Sequence, residues 1–248
     1  MNLKDEYIYS QIGKAKLPNP NCPISTVLSF LENNIPEFVC FLENNIPEFV
    51  YQNKNSGIKN EKGLTQRLVR LLNTNLNNNF PFFFDKEGME DETSGNSPSV
   101  DFDVVAKEKI SVKLRVFEKQ KRFFAFEAKI LGVKESYRQK EYVKGYDSKG
   151  NPKNSGGIER FKNGTHGGNI PNAGLIGFIL KEDSAFWFSS INSWIAELAT
   201  ESGSSWSSDD KLQLDFDFGV YSKYNSKHKR TNSIFNEIEI YHFWINLN

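Results

Sequence analysis

Cysteine is almost missing from this chain: Cys22 and Cys40 are the only two among 248 residues. They show no CxxC spacing, so the sequence offers neither a thiolate zinc site nor a disulfide framework. Neither sign of charge dominates, because 31 basic residues balance 31 acidic ones. Zero net charge excludes a protein that holds polyanions by overall attraction, so any nucleic-acid surface must be a local patch. No apolar run approaches membrane-spanning length, and the opening MNLKDEYIYS lacks the apolar core of a signal peptide. These absences point to a soluble protein of a reducing cytoplasm. What is plentiful is phenylalanine, with 21 residues in a chain that is 38% hydrophobic. Such a composition supports a real core and excludes wholesale disorder. The length suits one large domain or a core with additions.

Residues 30–40, FLENNIPEFVC, are followed at once by 41–51, FLENNIPEFVY. Eleven residues span about three helical turns, so both copies turn the same apolar residues inward. These are Phe30, Ile35 and Phe38, then Phe41, Ile46 and Phe49. Pro36 and Pro47 predict two short helices, each restarted near its proline. Two copies are too few for a solenoid. The expectation is a peripheral duplication inside an N-terminal helical extension over 1–56, from which one copy could be deleted.

From residue 57 onward the pattern is denser. Leu64, Leu68, Leu71 and Leu72 recur at helical spacing, with Asn60 or Glu61 near the helix start. Strands are expected at 80–87, 99–106, 110–117, 122–130 and 173–180, and a basic helix at 134–145. A helix ending near 200 carries Ile191, Trp194, Ile195 and Leu198 on one side, and strand-like segments close the chain. Helices and strands interleaved in this way indicate a mixed α/β domain over 57–248. Its core would run from about 57 to 180, with C-terminal elements at 181–248.

One stretch raises a chemical question. Residues 123–131 read FFAFEAKIL, a strand pattern that nonetheless carries Glu127 and Lys129 two positions apart. Side chains alternate along a strand, so both charges share one face and need a partner, a metal or a ligand there. The strand at 99–106 places Asp101 and Asp103 on one face as well. Pairing it antiparallel with 122–130 would set Asp101 beside Glu127. The other acidic–x–lysine triplets, at Asp147 and Asp209, lie in polar turns and read as solvated charge. Strand carboxylates beside a lysine suit phosphodiester hydrolysis, because Mg²⁺ takes carboxylate oxygens together with substrate phosphate. The lysine could orient or deprotonate water, or offset charge in the transition state. An ion pair satisfied inside a sheet is the bland alternative.

The arrangement VD…FEAK, preceded by a helix with an acid near its start, resembles the PD-(D/E)XK, restriction-endonuclease-like nuclease superfamily. GGIERFKNGTHG, AGLIGFI and KEYVKG are similar to a bacterial branch tied to restriction or phage defence. The resemblance implies a core of helix, three strands, helix and strand around a mixed central sheet. It implies a metal-dependent endonuclease acting on DNA, with RNA the other candidate polymer and a homodimer or a defence-system protein as possible company. It implies Asp101, Glu127 and Glu61 as ligands of Mg²⁺, with Mn²⁺ able to substitute, the Ala128 carbonyl as a further ligand, and Lys129 as the catalytic lysine. Val100 stands where the motif has proline, which keeps Asp103 in play as a rival ligand.

Phosphate contacts are expected from Lys134, Arg138 and Lys140 after the motif, and from Arg160 and His166 in a glycine-rich setting that lets backbone approach an anion. A capped turn with a packed arginine fits that setting equally. The run Lys227, His228, Lys229, Arg230 is the densest basic cluster and suits backbone phosphates. His242 and Trp244 read as core. The competing function is a non-catalytic nucleic-acid-binding or assembly subunit that keeps the same fold.

Overall fold

In the computed structural model, residues 35–78, 80–112, 115–230 and 233–248 are described. Cys22, Phe30 and the first half of the first repeat copy lie outside them. Helix α1 (Ile35–Asn53) leads to α2 (Glu61–Asn75). Strands β1 (Phe82–Lys86) and β2 (Phe102–Ala106) come next, then a small separate hairpin of β3 (Ile110–Val112) and β4 (Arg115–Phe117). The long strand β5 (Arg122–Leu131) precedes the short helices α3 (Ser136–Gln139) and α4 (Gly157–Lys162). Strand β6 (Asn172–Ile179), helix α5 (Ser184–Thr200), β7 (Gln213–Asp217), β8 (Tyr221–Lys229) and β9 (Glu237–Asn246) complete the chain.

Seven strands form one mixed sheet in the order β1-β2-β5-β6-β9-β8-β7. The β5–β6 and β6–β9 pairs are parallel and the others antiparallel. Every residue of β6 is buried, as expected of a central strand covered on both faces. One face packs α1 and α2 against Phe82, Phe102, Phe124, Phe126 and Phe243. The other packs Trp187, Ile191, Ile195 and Leu198 of α5 against Leu175, Ile240 and Trp244. Trp194 lies at the margin of that second layer, only partly buried. The architecture is therefore α/β.

The local signals explain the helices. Asn60 caps α2 by accepting from the Gly63 N–H at 2.8 Å, and Leu64, Leu68, Leu71 and Leu72 form its buried stripe. Asp183 caps α5 through the Phe186 N–H at 2.8 Å.

Four expectations need correction. From Ile35 onward the duplicated segment forms one helix with Pro47 inside it, not two short ones. An interior proline costs about 3 kcal/mol. Burying Leu42, Ile46, Phe49 and Val50 at roughly 1.5–3 kcal/mol each outweighs that. Nor is the helix peripheral: Phe38 touches the rings of Phe82, Phe123, Phe124 and Phe126, so α1 shares one core with the strands of the sheet. Cys40 is disulfide-bonded rather than a free thiol. The helix expected over 134–145 shrinks to α3 and a single 3₁₀ turn at 140–142.

Phe38→Ala should therefore destabilise the protein by about 3–5 kcal/mol, the range for truncating a packed phenylalanine. Urea unfolding measures this, and a loss below about 1 kcal/mol would return the helix to the periphery.

Candidate active site

Strand pairing builds the site. Phe102 pairs with Phe126 across β2 and β5, which places Asp101 beside Glu127 as the sequence anticipated. Phe102, Val104, Phe124 and Phe126 face the α1–α2 layer. By the two-residue period, Asp101, Asp103, Glu127 and Lys129 share the opposite face. Asp101 is held doubly: its N–H donates to the Phe126 carbonyl at 3.0 Å, and its Oδ2 accepts from the Ala128 N–H at 2.7 Å.

Lys129 is the hub. Its Nζ lies 2.8 Å from Glu127 Oε1 and 3.8 Å from Glu61 Oε1, so the start of α2 joins the site through the ammonium. Arg160 of α4 reaches the same Glu127 Oε1 at 2.9 Å. Behind Glu127, His166 is buried with both ring nitrogens lacking a hydrogen bond. Its Nε2 is 4.0 Å from Glu127 Oε2 and its Nδ1 is 3.6 Å from Glu90 Oε1.

Asp103 belongs to a neighbouring group. Arg122 lies 3.4 Å from Asp103 and 2.6 Å from Glu90, and Glu90 also accepts the Gly167 N–H at 2.9 Å. A Cβ on Gly88 would overlap the Asp103 carboxylate, so glycine is required where the β1–β2 connection passes it. Between the rival acids, Asp101 is the one that the geometry joins to Glu127 and Lys129.

The electrostatics follow from burial and crowding. Burial, and then the Glu127 charge, push the Asp101 carboxyl up to about 7. Asp103 is likewise pushed up to about 7, first by burial. Burial also raises Glu127, but Lys129, His166 and Arg160 outweigh it and hold the carboxyl below its ordinary value. Burial alone would lower the Lys129 ammonium, yet Glu127, Glu61 and Asp101 together hold it above its usual value. Lys129 therefore stays protonated, which fits charge stabilisation and not deprotonation of water. Glu61 is raised, chiefly by burial.

The expected phosphate contacts fare differently. Arg160 and His166 face Glu127 rather than solvent-borne anions. Arg138 and Lys140 are at the surface, but each meets an acid, Glu141 at 3.9 Å and Glu197 at 3.5 Å. The basic run at 227–230 is corrected outright: it ends strand β8, and the two-residue period sends His228 and Arg230 inward, where both are buried. Lys227 and Lys229 alone face out. Sequence inspection missed Glu90 and Arg122. Glu90 sits in a polar loop with no periodicity, and a bulge between Val104 and Val105 sets the Arg122 pairing, which no pattern announces.

Compared with known proteins, the chain matches no family model, no curated sequence and no solved structure. Among the described residues no helix is long and apolar enough to cross a membrane.

Do these residues fit a divalent cation? As arranged, no group of three or more His, Cys, Asp or Glu among the described residues is gathered to hold one, and the Lys129 ammonium lies within 4 Å of both Glu127 and Glu61. The donor chemistry does fit: hard carboxylate oxygens are what Mg²⁺ prefers. Asp101 moreover has no ion pair among the described residues, and burial, then the Glu127 charge, raises its carboxyl strongly. A cation at Asp101 and Glu127 would supply the missing positive charge.

Proposed function

We propose that the centre formed by Asp101, Glu127 and Lys129 hydrolyses phosphodiester bonds of DNA in a cation-dependent manner, as an endonuclease of the PD-(D/E)XK type acting in restriction or phage defence. One observation carries this reading: two carboxylates from neighbouring strands meet on either side of the Ala128 peptide, beside a lysine held in its charged form. The order α2, β1, β2, β5, α4, β6 supports it, since it matches the helix, three strands, helix and strand that the resemblance implies. Asp101 and Glu127 would hold the cation, with Glu61 and the Ala128 carbonyl available to complete the set. Mg²⁺, or Mn²⁺ in its place, polarises phosphate and acidifies bound water in such sites.

The chain's own groups have separable roles. Arg160 fixes one oxygen of Glu127, leaving Oε2 for a ligand. The Ala128 N–H orients Asp101. Lys129 sets a positive charge where negative charge grows on the phosphoryl oxygens. Lys129→Met should accordingly slow cleavage by about 100- to 1,000-fold at saturating cation. A variant cutting within tenfold of wild type would remove Lys129 from the mechanism.

A second reading, a non-catalytic nucleic-acid-binding subunit, is favoured by the pairing of Glu127 with both Lys129 and Arg160, which alone satisfies the buried charge. The two part in one assay. Purified protein is incubated with plasmid, linear and single-stranded DNA and with RNA, in Mg²⁺, Mn²⁺ or EDTA. Cation-dependent cleavage is expected; binding without cleavage in every condition would establish the second reading.

A further inference from the structure

Four lysines gather in one cleft where α1 and α2 meet the ends of β5 and β6. Lys54, Lys59, Lys134 and Lys181 are exposed and line one cleft of about 430 Å³, in which Glu135 is the only acidic side chain among the described residues. None of the four forms an ion pair among the described residues. The cleft lies next to the start of α2, the helix that carries Glu61: Ile58 and Lys59 are in its wall, together with Ile130, which points to the α1–α2 face of β5.

The cleft does not end there. A second one, of about 400 Å³, shares Gly132, Val133, Lys134 and Lys181 with the first and runs on to Gln139, Glu182 and Phe186. Gly132 makes the junction possible. Its φ is +110°, and a Cβ there would sit 2.8 Å from the Lys181 Cβ, so only glycine lets residue 181 pack this closely. At the far end Phe186 is 47% exposed, its ring edge-on to Trp187 at 5.2 Å.

We propose that this groove holds a single-stranded stretch of polynucleotide running away from the Asp101–Glu127–Lys129 centre, with phosphates along the lysines and one base stacked on Phe186. The inference rests on the nuclease reading of that centre and goes beyond it in naming the form of the substrate. Four lysines against Glu135 and Glu182 leave the groove lining net positive, which suits a backbone that carries one charge per nucleotide. An exposed ring at the end of the row offers nothing to a duplex, whose bases already stack on each other; it matches an unstacked base. The lysines and the ring together are the combination that single strands use.

The test uses the full chain in EDTA, with fluorescein-labelled dT20 and a 20-base-pair duplex followed by anisotropy across a salt series. Wild type should bind dT20 more tightly than the duplex. Phe186→Ala should weaken dT20 binding by about tenfold with the salt slope unchanged, and should leave the duplex unaffected. The pair Lys134→Ala/Lys181→Ala should flatten the dT20 slope by about 1.4, two contacts at about 0.7 each. All three positions are exposed, so thermal melting should not change and serves as the control for folding. Unchanged dT20 binding by the Phe186 variant, or a duplex held as tightly as dT20, overturns the proposal. Displacement of dT20 by poly-glutamate at equal charge also overturns it, and assigns the groove to an acidic protein segment. Because EDTA removes cleavage from the measurement, failure of the groove and failure of the nuclease reading are seen separately: tight dT20 binding with no cutting in Mg²⁺ would sink only the second.

Discussion

Asp101→Asn is expected to abolish cleavage and, above pH 7, to make the protein more stable than wild type. The Asp101 carboxyl is held up at about 7 by burial and by Glu127, against an ordinary value of 3.8. Between those values the folded protein keeps a proton that the unfolded chain has released. Stability therefore falls as pH rises through this window and stays lower above it. Asp103, also at about 7, adds to the same slope. Glu127 and Glu90 act in the opposite sense. Burial pushes Glu90 up, but His166, Arg122 and the Gly167 N–H outweigh it; both carboxyls are held low, so their stabilisation is lost as pH falls through the ordinary carboxylate range. Asparagine keeps an oxygen for the Ala128 N–H and removes the charge. At pH 8 it should gain about 2 kcal/mol over wild type, and below the ordinary value of 3.8 the difference should vanish.

The same variant tests the cation without reference to activity. A ligand at a hundred times its dissociation constant stabilises by about 2.7 kcal/mol. Mg²⁺ should raise the melting temperature of wild type at pH 8 and leave Asp101→Asn unmoved. If Mg²⁺ shifts both equally, Asp101 is no ligand. If the asparagine variant melts lower at pH 8, its carboxylate was compensated after all.

Arg230→Ala is expected to be strongly destabilising although Arg230 lies outside the centre. Arg230 donates from Nε to the Phe161 carbonyl at 2.7 Å and from Nη1 to the Gly167 and Ile170 carbonyls at 3.0 Å each. From Nη2 it donates to the His166 carbonyl at 3.2 Å. One buried guanidinium thus shapes the loop that presents Arg160 and His166 to Glu127. Truncation strands the His166 and Ile170 carbonyls, each worth about 1–3 kcal/mol if it stays dry. It takes one of two donors from the Phe161 and Gly167 carbonyls, which keep the Gly164 and Ile170 N–H groups. With some water entering the space, a loss of about 4 kcal/mol is expected. Lysine should not rescue, because its ammonium lacks the planar fork of donors that spans four acceptors. Urea denaturation of Arg230→Ala and Arg230→Lys decides the matter. A surface role in phosphate binding would leave both as stable as wild type.

Much was legible along the chain because period and punctuation carry it. The leucine stripe of α2, the strand alternation of β2 and β5, and the cap at Asn60 are local signals, and each is read within a dozen residues. The pairing of Asp101 with Glu127 was also accessible, since two amphipathic strands with acids at matching positions allow few registers. β8 was not legible as a strand: its charges at 223, 227, 229 and 230 mask an alternation that shows only once a neighbour on each side buries Tyr224, Ser226 and His228.

The division of labour at the centre is sharper. Sequence by itself determined the α/β class, the faces of β2 and β5, and the candidates Asp101, Glu127, Lys129 and Glu61, because side-chain direction along a strand is fixed by backbone geometry. Only tertiary structure decided that Asp103 pairs with Arg122 instead of Lys129, that Arg160 grips Glu127, that His228 and Arg230 are internal, and that the duplicated helix is core. Each of these depends on contacts between segments 19 to 88 positions apart, where bulges, crossings and burial set the partner and no spacing in the chain records it.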